Sequence, residues 1–172
     1  MPARIRVAAA AVVAALALVG MVVVVVRVRS DESGVAHLRF ASTTPAVAPF
    51  AAFTEANVAV GTTCLRVLVA SNPSQRTQGL RDVTALAPYA GMLFVNRSDT
   101  NARYTMANTP MPLAITFFSA KGVPVDTARM APCPGGTDAT CPEYESKTAY
   151  RYALERPAGS GPSSGSLGAC AA

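Results

Sequence analysis

The sequence predicts an α+β fold: a mostly antiparallel β domain, closed as a small barrel or sandwich, with one short helix and a single transmembrane helix before it. Short runs of β-branched and apolar residues alternate with Gly, Pro, Asn and Asp, which is typical of strands and turns. One segment carries helix-capping residues. An uncharged apolar run near the N-terminus is long enough to cross a bilayer.

The apolar run covers residues 7–26 and contains no charged or strongly polar side chain. As a helix, these 20 residues would span about 30 Å, the hydrocarbon thickness of a bilayer. Arginines flank the run on both sides: Arg4, Arg6, Arg27 and Arg29. We therefore interpret residues 1–29 as an N-terminal anchor that attaches a single-pass protein to the membrane.

A cleaved signal peptide is the alternative for residues 1–29, and it would make the protein secreted. Its apolar region is usually shorter, and a small-residue cleavage site should follow directly, whereas Val26 runs into Arg27. The flanking arginines are balanced, so the positive-inside rule does not set the orientation. The even number of cysteines favours an oxidising compartment, which predicts a domain on the extracytoplasmic side of the cell membrane.

A net charge of +5 can indicate a nucleic-acid partner, but here much of the positive charge lies beside the apolar run. Four of the 15 basic residues flank the apolar run, and all 10 acidic residues follow it. The rest of the chain is therefore nearly neutral, and it contains no block of basic residues. We expect no nucleic-acid partner.

Composition divides the remaining chain into three parts. Residues 30–61 are rich in Ala, Thr, Pro and Ser and are predicted to be a linker. Residues 62–156 carry the strand and helix signals and are predicted to be the domain. Residues 157–172 are rich in Gly, Ser and Pro and are predicted to be a flexible tail.

The first elements of the domain are a strand over Cys64–Ala70 and a short helix to about Asp82. Asn72 is placed to cap the helix, Pro73 suits its first turn, and Gln75 can complete a capping box.

Five further strands follow along the chain. A buried strand is expected at 91–95, another at 103–107, a hairpin from 113–119 and 123–128, and a last strand at 149–155. Two prolines must interrupt the chain between the second and third of these, because proline cannot donate to a β ladder.

The four cysteines allow three disulfide pairings. Cys133 and Cys141 share one Pro/Gly-rich loop, so we predict a disulfide between them. A second bond from Cys64 to Cys170 is a hypothesis that would tie the tail to the first strand. Zinc is disfavoured because the cysteine spacing is too wide and the single histidine, His37, lies outside the predicted domain. We expect no metal and no cofactor.

Motifs between Leu65 and Glu155 resemble the DUF192 family of uncharacterised proteins. The matching pieces occur in family order: Gln75–Leu80 with Arg-x-x-Gly-Leu, Gly91–Phe94 with Gly-Met-Leu-Phe, Tyr104–Thr109, Pro112–Ile115, a two-cysteine loop through Met130–Cys133 and Cys141–Tyr144, and Tyr150–Glu155. The resemblance implies a compact α+β, largely β domain that is often exported or anchored, and it implies no established activity.

Two positions depart from the family pattern. The family usually has Lys where Ala107 stands and Asp where Ala114 stands. If those side chains serve a ligand or a catalytic step in the family, this chain has lost both.

The candidate ligand-binding residues are Arg76, Tyr104, Asn108 and Thr109. An arginine can hold an anionic or carbonyl group with two parallel hydrogen bonds, and the other three lie in or beside a proline-interrupted turn. A structural role is the alternative, since Asn and Thr often satisfy turn backbone groups and Arg76 could pair with Asp82.

The function predicted from these residues is a membrane-anchored binding or accessory domain of the cell envelope, with an unknown ligand or protein partner. The predicted domain contains no histidine, which excludes Ser-His and Cys-His catalysis and leaves no catalytic residue to name. An envelope-polymer hydrolase or transferase is the enzymatic alternative, and it would need buried, convergent carboxylates such as Asp126 and Glu155. A structural domain that binds a protein partner through an exposed apolar patch is the third possibility.

Overall fold

The computed structural model describes residues 41–160 and 164–170. The predicted anchor, residues 1–29, lies outside the described residues. Within residues 41–160 and 164–170, no helix is long and apolar enough to span a membrane.

The described residues form ten strands and one helix. In chain order they are β1 (Ala41–Pro45), β2 (Thr54–Val60), β3 (Thr63–Ala70), α1 (Pro73–Gln78), β4 (Met92–Thr100), β5 (Tyr104–Thr105), β6 (Leu113–Phe118), β7 (Pro124–Met130), β8 (Glu143–Tyr144), β9 (Tyr150–Pro157) and β10 (Leu167–Ala169).

The main sheet has the strand order β1-β2-β3-β4-β9-β6-β7, and β10 also pairs with β2. Only the β3–β4 pair is parallel. The strands β5 and β8 form a separate two-stranded ribbon. The predicted α+β, mostly antiparallel character is confirmed.

The sheet is open, and the predicted closure as a barrel or sandwich is wrong. A barrel needs a continuous ladder between its first and last strands. Here the two ends approach through one backbone bond, in which the amide of Leu167 donates to the carbonyl of Gly122 in the β6–β7 turn at 2.8 Å. The sheet therefore curls toward closure without a ladder.

Alternate side chains of the sheet belong to two buried clusters, as the two-residue period of a strand requires. Leu68 and Ala70 enter one cluster, while Val67 and Val69 enter the other. The first cluster also receives the loops after α1 and the β5 ribbon, and the candidate site lies on this face.

The N-terminal part of the domain corrects the predicted linker. Residues 41–60, placed in the linker, contain β1 and β2, and β2 pairs with β3 over its whole length. Ala56, Val58 and Val60 are buried on one face of β2. Their alternation with more polar residues is a strand signal that the Ala/Thr/Pro-rich composition obscured.

The C-terminal part corrects the predicted tail. The strand β10 adds to the edge of β2, and Leu167 is buried. The Cys64–Cys170 disulfide ties this segment to β3 and confirms the hypothesis of that pairing. The predicted Cys133–Cys141 disulfide is also present. A cross-link over 106 residues restricts the unfolded chain strongly, by roughly 4–5 kcal/mol in the chain-entropy picture.

The helix begins as predicted, with a reciprocal capping box. The side-chain oxygen of Asn72 accepts from the amide of Gln75 at 2.9 Å, and the Gln75 side chain accepts from the amide of Asn72 at 3.3 Å. The helix ends at Gln78 rather than near Asp82, because Gly79 takes a left-handed φ of 49°.

The remaining strand predictions hold with changed lengths. The strand expected at 103–107 is reduced to the two residues of β5, which pair with β8, an element that the sequence did not predict. The β6–β7 hairpin is confirmed, with Gly122 at a left-handed φ of 76° in its turn.

Candidate functional site

A cavity of about 480 Å³ opens between α1, the β5 ribbon and the sheet. The residues that line it include Arg76, Leu80, Phe94, Tyr104, Met106 and Glu155. The capping box fixes the start of α1, and the β5–β8 pairing fixes the opposite wall.

Glu155 lies on β9 in a row of apolar neighbours. It is opposite Met92 of β4 and Ile115 of β6, and both neighbours are fully buried. The residue is only 4% exposed, and its side chain makes no hydrogen bond or ion pair within residues 41–160 and 164–170. Its carboxyl oxygens keep some accessible surface, since no fully buried side-chain oxygen of the described residues lacks a partner. Burial raises the pKa of Glu155 to about 8, so the carboxyl is mostly neutral at pH 7.

Tyr104 stands between the sheet and the β5 ribbon in an aromatic cluster. Its ring packs edge-on against Phe94 at 5.1 Å and Phe117 at 5.8 Å between ring centroids. Burial is the main cause that raises the pKa of Tyr104, and Tyr150 and Glu155 add to the effect. The hydroxyl therefore remains protonated at physiological pH and can serve as a hydrogen-bond donor.

Arg76 reaches the mouth of the cavity from α1. Its Nη1 donates to the carbonyls of Ser71 at 2.8 Å and Val95 at 3.2 Å. The alternative pairing with Asp82 is not formed. Within the described part of the chain, the Nε and Nη2 groups of Arg76 have no partner, and no carboxylate neutralises the guanidinium.

The other arginine on this side of the mouth is neutralised. Arg81 donates to Asp138 at 2.6 Å, and the Thr105 hydroxyl donates to the same carboxylate oxygen at 2.5 Å. The hydrogen bond from Thr105 is the largest cause that lowers the pKa of Asp138, and the hydrogen bond from Arg81 adds to it. Asp138 lies in the loop closed by the Cys133–Cys141 disulfide. The loop is therefore linked to Arg81 in the segment after α1 and to Thr105 on β5.

A second set of ion pairs lies along the β5–β8 ribbon. Arg103 contacts Glu143 at 2.6 Å and Glu145 at 3.0 Å. All three side chains are at least half exposed, so we assign little stability to these pairs. The two carboxylates neutralise the guanidinium of Arg103.

The predicted site residues are only partly brought together. Arg76, Tyr104 and Thr109 line the cavity. Asn108 does not; its φ of 54° and its exposed side chain belong to the turn that the sequence also allowed. Thr109 is buried, and its hydroxyl lies 3.4 Å from the carbonyl of Ala107.

The two positions that depart from the family pattern, Ala107 and Ala114, do not line the cavity. Ala107 is fully buried and forms a bridge with Cys133. Ala114 lies on β6 opposite Arg156 of β9. In this chain, neither position contributes a side chain to the cavity.

Asp126 and Glu155 do not converge. Asp126 on β7 pairs with Phe117 of β6. Glu155 on β9 pairs with Ile115 on the opposite edge of the same strand, so β6 lies between the two acids. Two strand spacings and a two-residue offset separate their Cα atoms by roughly 12 Å. The Asp126 carboxylate is also occupied, since it accepts from the amides of Thr127 and Lys147 at 2.8 Å and 2.9 Å.

The sequence did not identify Glu155 as a site residue on its own. The available signal was a glutamate directly after the apolar residues Tyr152, Ala153 and Leu154 in a predicted strand, because burying a charged side chain beside such residues is costly. The roles of Arg81 and Asp138 could not be read, since they depend on a contact across 57 residues.

Glu155 should make the stability of the protein depend on pH. Its folded pKa is raised above the value near 4.3 of an unfolded chain. The stability it contributes is therefore complete below that value and is lost as pH rises through about 8, at roughly 1.4 kcal/mol per pH unit between about pH 5 and 8.

Urea unfolding of wild type and Glu155→Gln at pH 5 and pH 8 measures this slope. The variant should become progressively more stable than wild type as pH rises. Glu145→Gln, at an exposed position, is the control and should leave the slope unchanged. A parallel pH dependence for wild type and Glu155→Gln would contradict the assignment of a neutral buried acid.

Comparison with known proteins places this site in a family. The DUF192 family model, described as uncharacterized ACR, matches residues 56–165, more than half of the chain. That match also begins inside β2, in agreement with the corrected domain start. Among functionally curated proteins, none matches the chain.

Two solved structures resemble the domain. A Sinorhizobium meliloti 1021 protein, provisionally assigned as a transcription regulator, is 28% identical with a TM-score of 0.56, over 63% of this chain and 84% of that one. A protein of unknown function from Novosphingobium aromaticivorans DSM 12444 is 22% identical with a TM-score of 0.57, over 69% of this chain and 83% of that one. The second likeness concerns the fold alone. The family match, together with the sequence motifs, shows that the chain belongs to the DUF192 family.

Proposed function

We propose that this domain binds a small molecule in the cavity between α1 and the β5 ribbon, as a non-catalytic binding or accessory domain. One observation carries the proposal: the Glu155 carboxyl is 4% exposed, lines the cavity and has no partner in the described part of the chain. A nearly buried carboxyl that has no protein partner is costly to the fold, and a ligand that enters the cavity would supply the partner.

The dimensions and shape of the cavity support this function. Its volume of about 480 Å³ falls within the range of about 300–1,000 Å³ that is usual for small-molecule sites. The walls are apolar where they meet the core and polar at the mouth. The contacts of Arg81 and Thr105 with Asp138 connect the two sides of the mouth, which favours a preformed cavity.

An enzyme is the second candidate, and the same glutamate favours it. A carboxyl with a pKa of about 8 is suited to general acid–base catalysis near neutral pH. The carboxylates of Asp138 and Glu143 at the mouth are held by arginines, and Asp126 lies on the far side of β6. Because no second unpaired carboxyl group accompanies Glu155 in the described lining, binding is the better supported function.

The remaining alternatives have less support. A partner-binding surface would need a large exposed apolar patch, and in the described chain the large apolar side chains with high exposure are Val47 and Val123. Four arginines are paired with carboxylates, which leaves them little charge for nucleic acid: Arg66 with Glu55, Arg81 with Asp138, Arg103 with Glu143 and Arg151 with Asp99.

The proposal includes the location of the domain. Residues 1–29 would anchor it to the cell membrane, with the domain on the extracytoplasmic side and an envelope molecule as its ligand. The length of the uncharged run supports the anchor. The two disulfides support the side of the membrane, since such bonds persist in oxidising compartments.

Blocking the mouth should abolish small-molecule binding. Thr77 is exposed on α1 and lines the cavity, so Thr77→Trp places an indole across the opening at little cost to folding. Ser74→Trp is the matched control, because Ser74 is exposed on the same helix and lines a different groove.

Ligand-observed NMR with a library of small polar compounds measures this effect. Compounds that bind the wild-type chain should lose binding to Thr77→Trp and keep it with Ser74→Trp. Equal binding to all three proteins would place the ligand elsewhere. Absence of any bound compound would count against the binding function.

The location predicts a specific mass for the protein taken from native membranes and alkylated without reductant. The chain should retain residues 1–29, and all four cysteines should remain unalkylated, because both disulfides are formed before extraction. Free thiols at Cys133 and Cys141 would contradict the extracytoplasmic location. A shortened N-terminus would replace the anchor with a signal peptide.

A further inference from the structure

We infer that the cavity recognises a small zwitterion, whose amine pairs with Glu155 at the floor and whose anionic group is held by Arg76 at the mouth. This inference rests on the proposed binding function and names the chemical class of its ligand. Two groups of opposite character on different elements carry it, and neither has an oppositely charged partner within the described residues.

The first group is the Glu155 carboxyl. It lies between Met92 and Ile115 on the neighbouring strands, and it faces the cavity without a hydrogen-bond or ion partner in the described residues. An ammonium group brought by a ligand would give this buried acid the partner that the protein does not supply. Buried carboxylates are otherwise almost always paired.

The second group is the Arg76 guanidinium. The carbonyls of Ser71 and Val95 hold its Nη1, which fixes the planar group while leaving Nε and Nη2 available. These two nitrogens form the edge that binds a carboxylate bidentately. Arg81 and Arg103 are paired with carboxylates, so Arg76 is the cation of the described lining that can receive an anion.

The surface of the cavity includes three apolar side chains, which suit the hydrocarbon part of such a ligand. Leu80, Phe94 and Met106 are buried and line the cavity. Tyr104 lines the same cavity as both of these groups. A molecule with an amine at one end, a short methylene chain and a carboxylate at the other end therefore matches the lining.

The charged and titratable groups that line the cavity with Glu155 come from several elements. Arg76 is on α1, Tyr104 on β5 and Glu143 on β8, while Arg81, Arg103 and Asp138 lie in the connecting segments. The last three and Glu143 are engaged in ion pairs. When the ligand ammonium binds, Glu155 ionises and its proton passes to solvent, while the ligand keeps its own proton.

A matched series of three compounds tests the inference: 6-aminohexanoate, hexanoate and hexylamine, each titrated calorimetrically into the full chain. The zwitterion should bind at least about tenfold more tightly than either single-charge analogue, since each analogue leaves one buried or oriented group unpaired. At pH 7, titration in buffers of different ionisation enthalpy should show release of about one proton per bound zwitterion.

Two variants assign the ends of the ligand. Glu155→Gln should weaken the zwitterion and the amine and abolish the proton release, while leaving hexanoate unchanged. Arg76→Gln should weaken the zwitterion and hexanoate, while leaving hexylamine unchanged. For wild type, zwitterion affinity should rise about tenfold from pH 7 to pH 9, and this rise should be absent in Glu155→Gln.

Two outcomes would overturn the inference. Binding of hexanoate or hexylamine as tight as that of the zwitterion would remove one of the two contacts, and the small-molecule function would stand. Absence of binding by all three compounds would exclude this ligand class. The compounds found with the library and blocked by Thr77→Trp would then still test the cavity separately.

Discussion

The placement of β9 in the middle of the sheet is the constraint on which the rest of the structure depends. Its backbone pairs with β4 on one edge and β6 on the other, and its side chains from Tyr150 to Glu155 are buried. A carboxyl on such a strand cannot reach bulk water along the sheet. Glu155 can be tolerated because the cavity beneath α1 and β5 reaches it, and this coupling makes a core strand part of the site.

Both local and long-range contacts position the walls of that cavity. The Cys133–Cys141 loop presents Asp138 to Arg81 and Thr105, and the capping box of α1 sets the position from which Arg76 extends. Exposed ion pairs contribute little to stability. Their more important effect here is to neutralise Arg81 and Arg103, so that Arg76 is the arginine of the described lining without a carboxylate partner.

Local signals in the sequence predicted most of the local structure. The capping box at Asn72, the β6–β7 hairpin and the Cys133–Cys141 disulfide each depend on residues close together in the chain. The sequence does not predict the strands β1, β2 and β10, because they contain Ala, Gly, Pro, Glu and Asn, which have weak β propensity. Such strands gain their stability from long-range pairing. The open sheet could not be predicted either, since closure depends on how its edges meet.

The site was predicted only in part for the same reason. Arg76 and Tyr104 were recognisable as side chains with binding chemistry, whereas the isolation of Glu155 follows from its register between β4 and β6. The central claim is therefore that the floor of the cavity holds a neutral acid. A ¹³C NMR titration of the side-chain carboxyl carbons from pH 4 to 10 tests it most directly. In the wild-type chain, one glutamate resonance should titrate with a midpoint near pH 8, and this resonance should be missing from Glu155→Gln. Midpoints near pH 4 to 5 for every glutamate, as in unperturbed side chains, would contradict it.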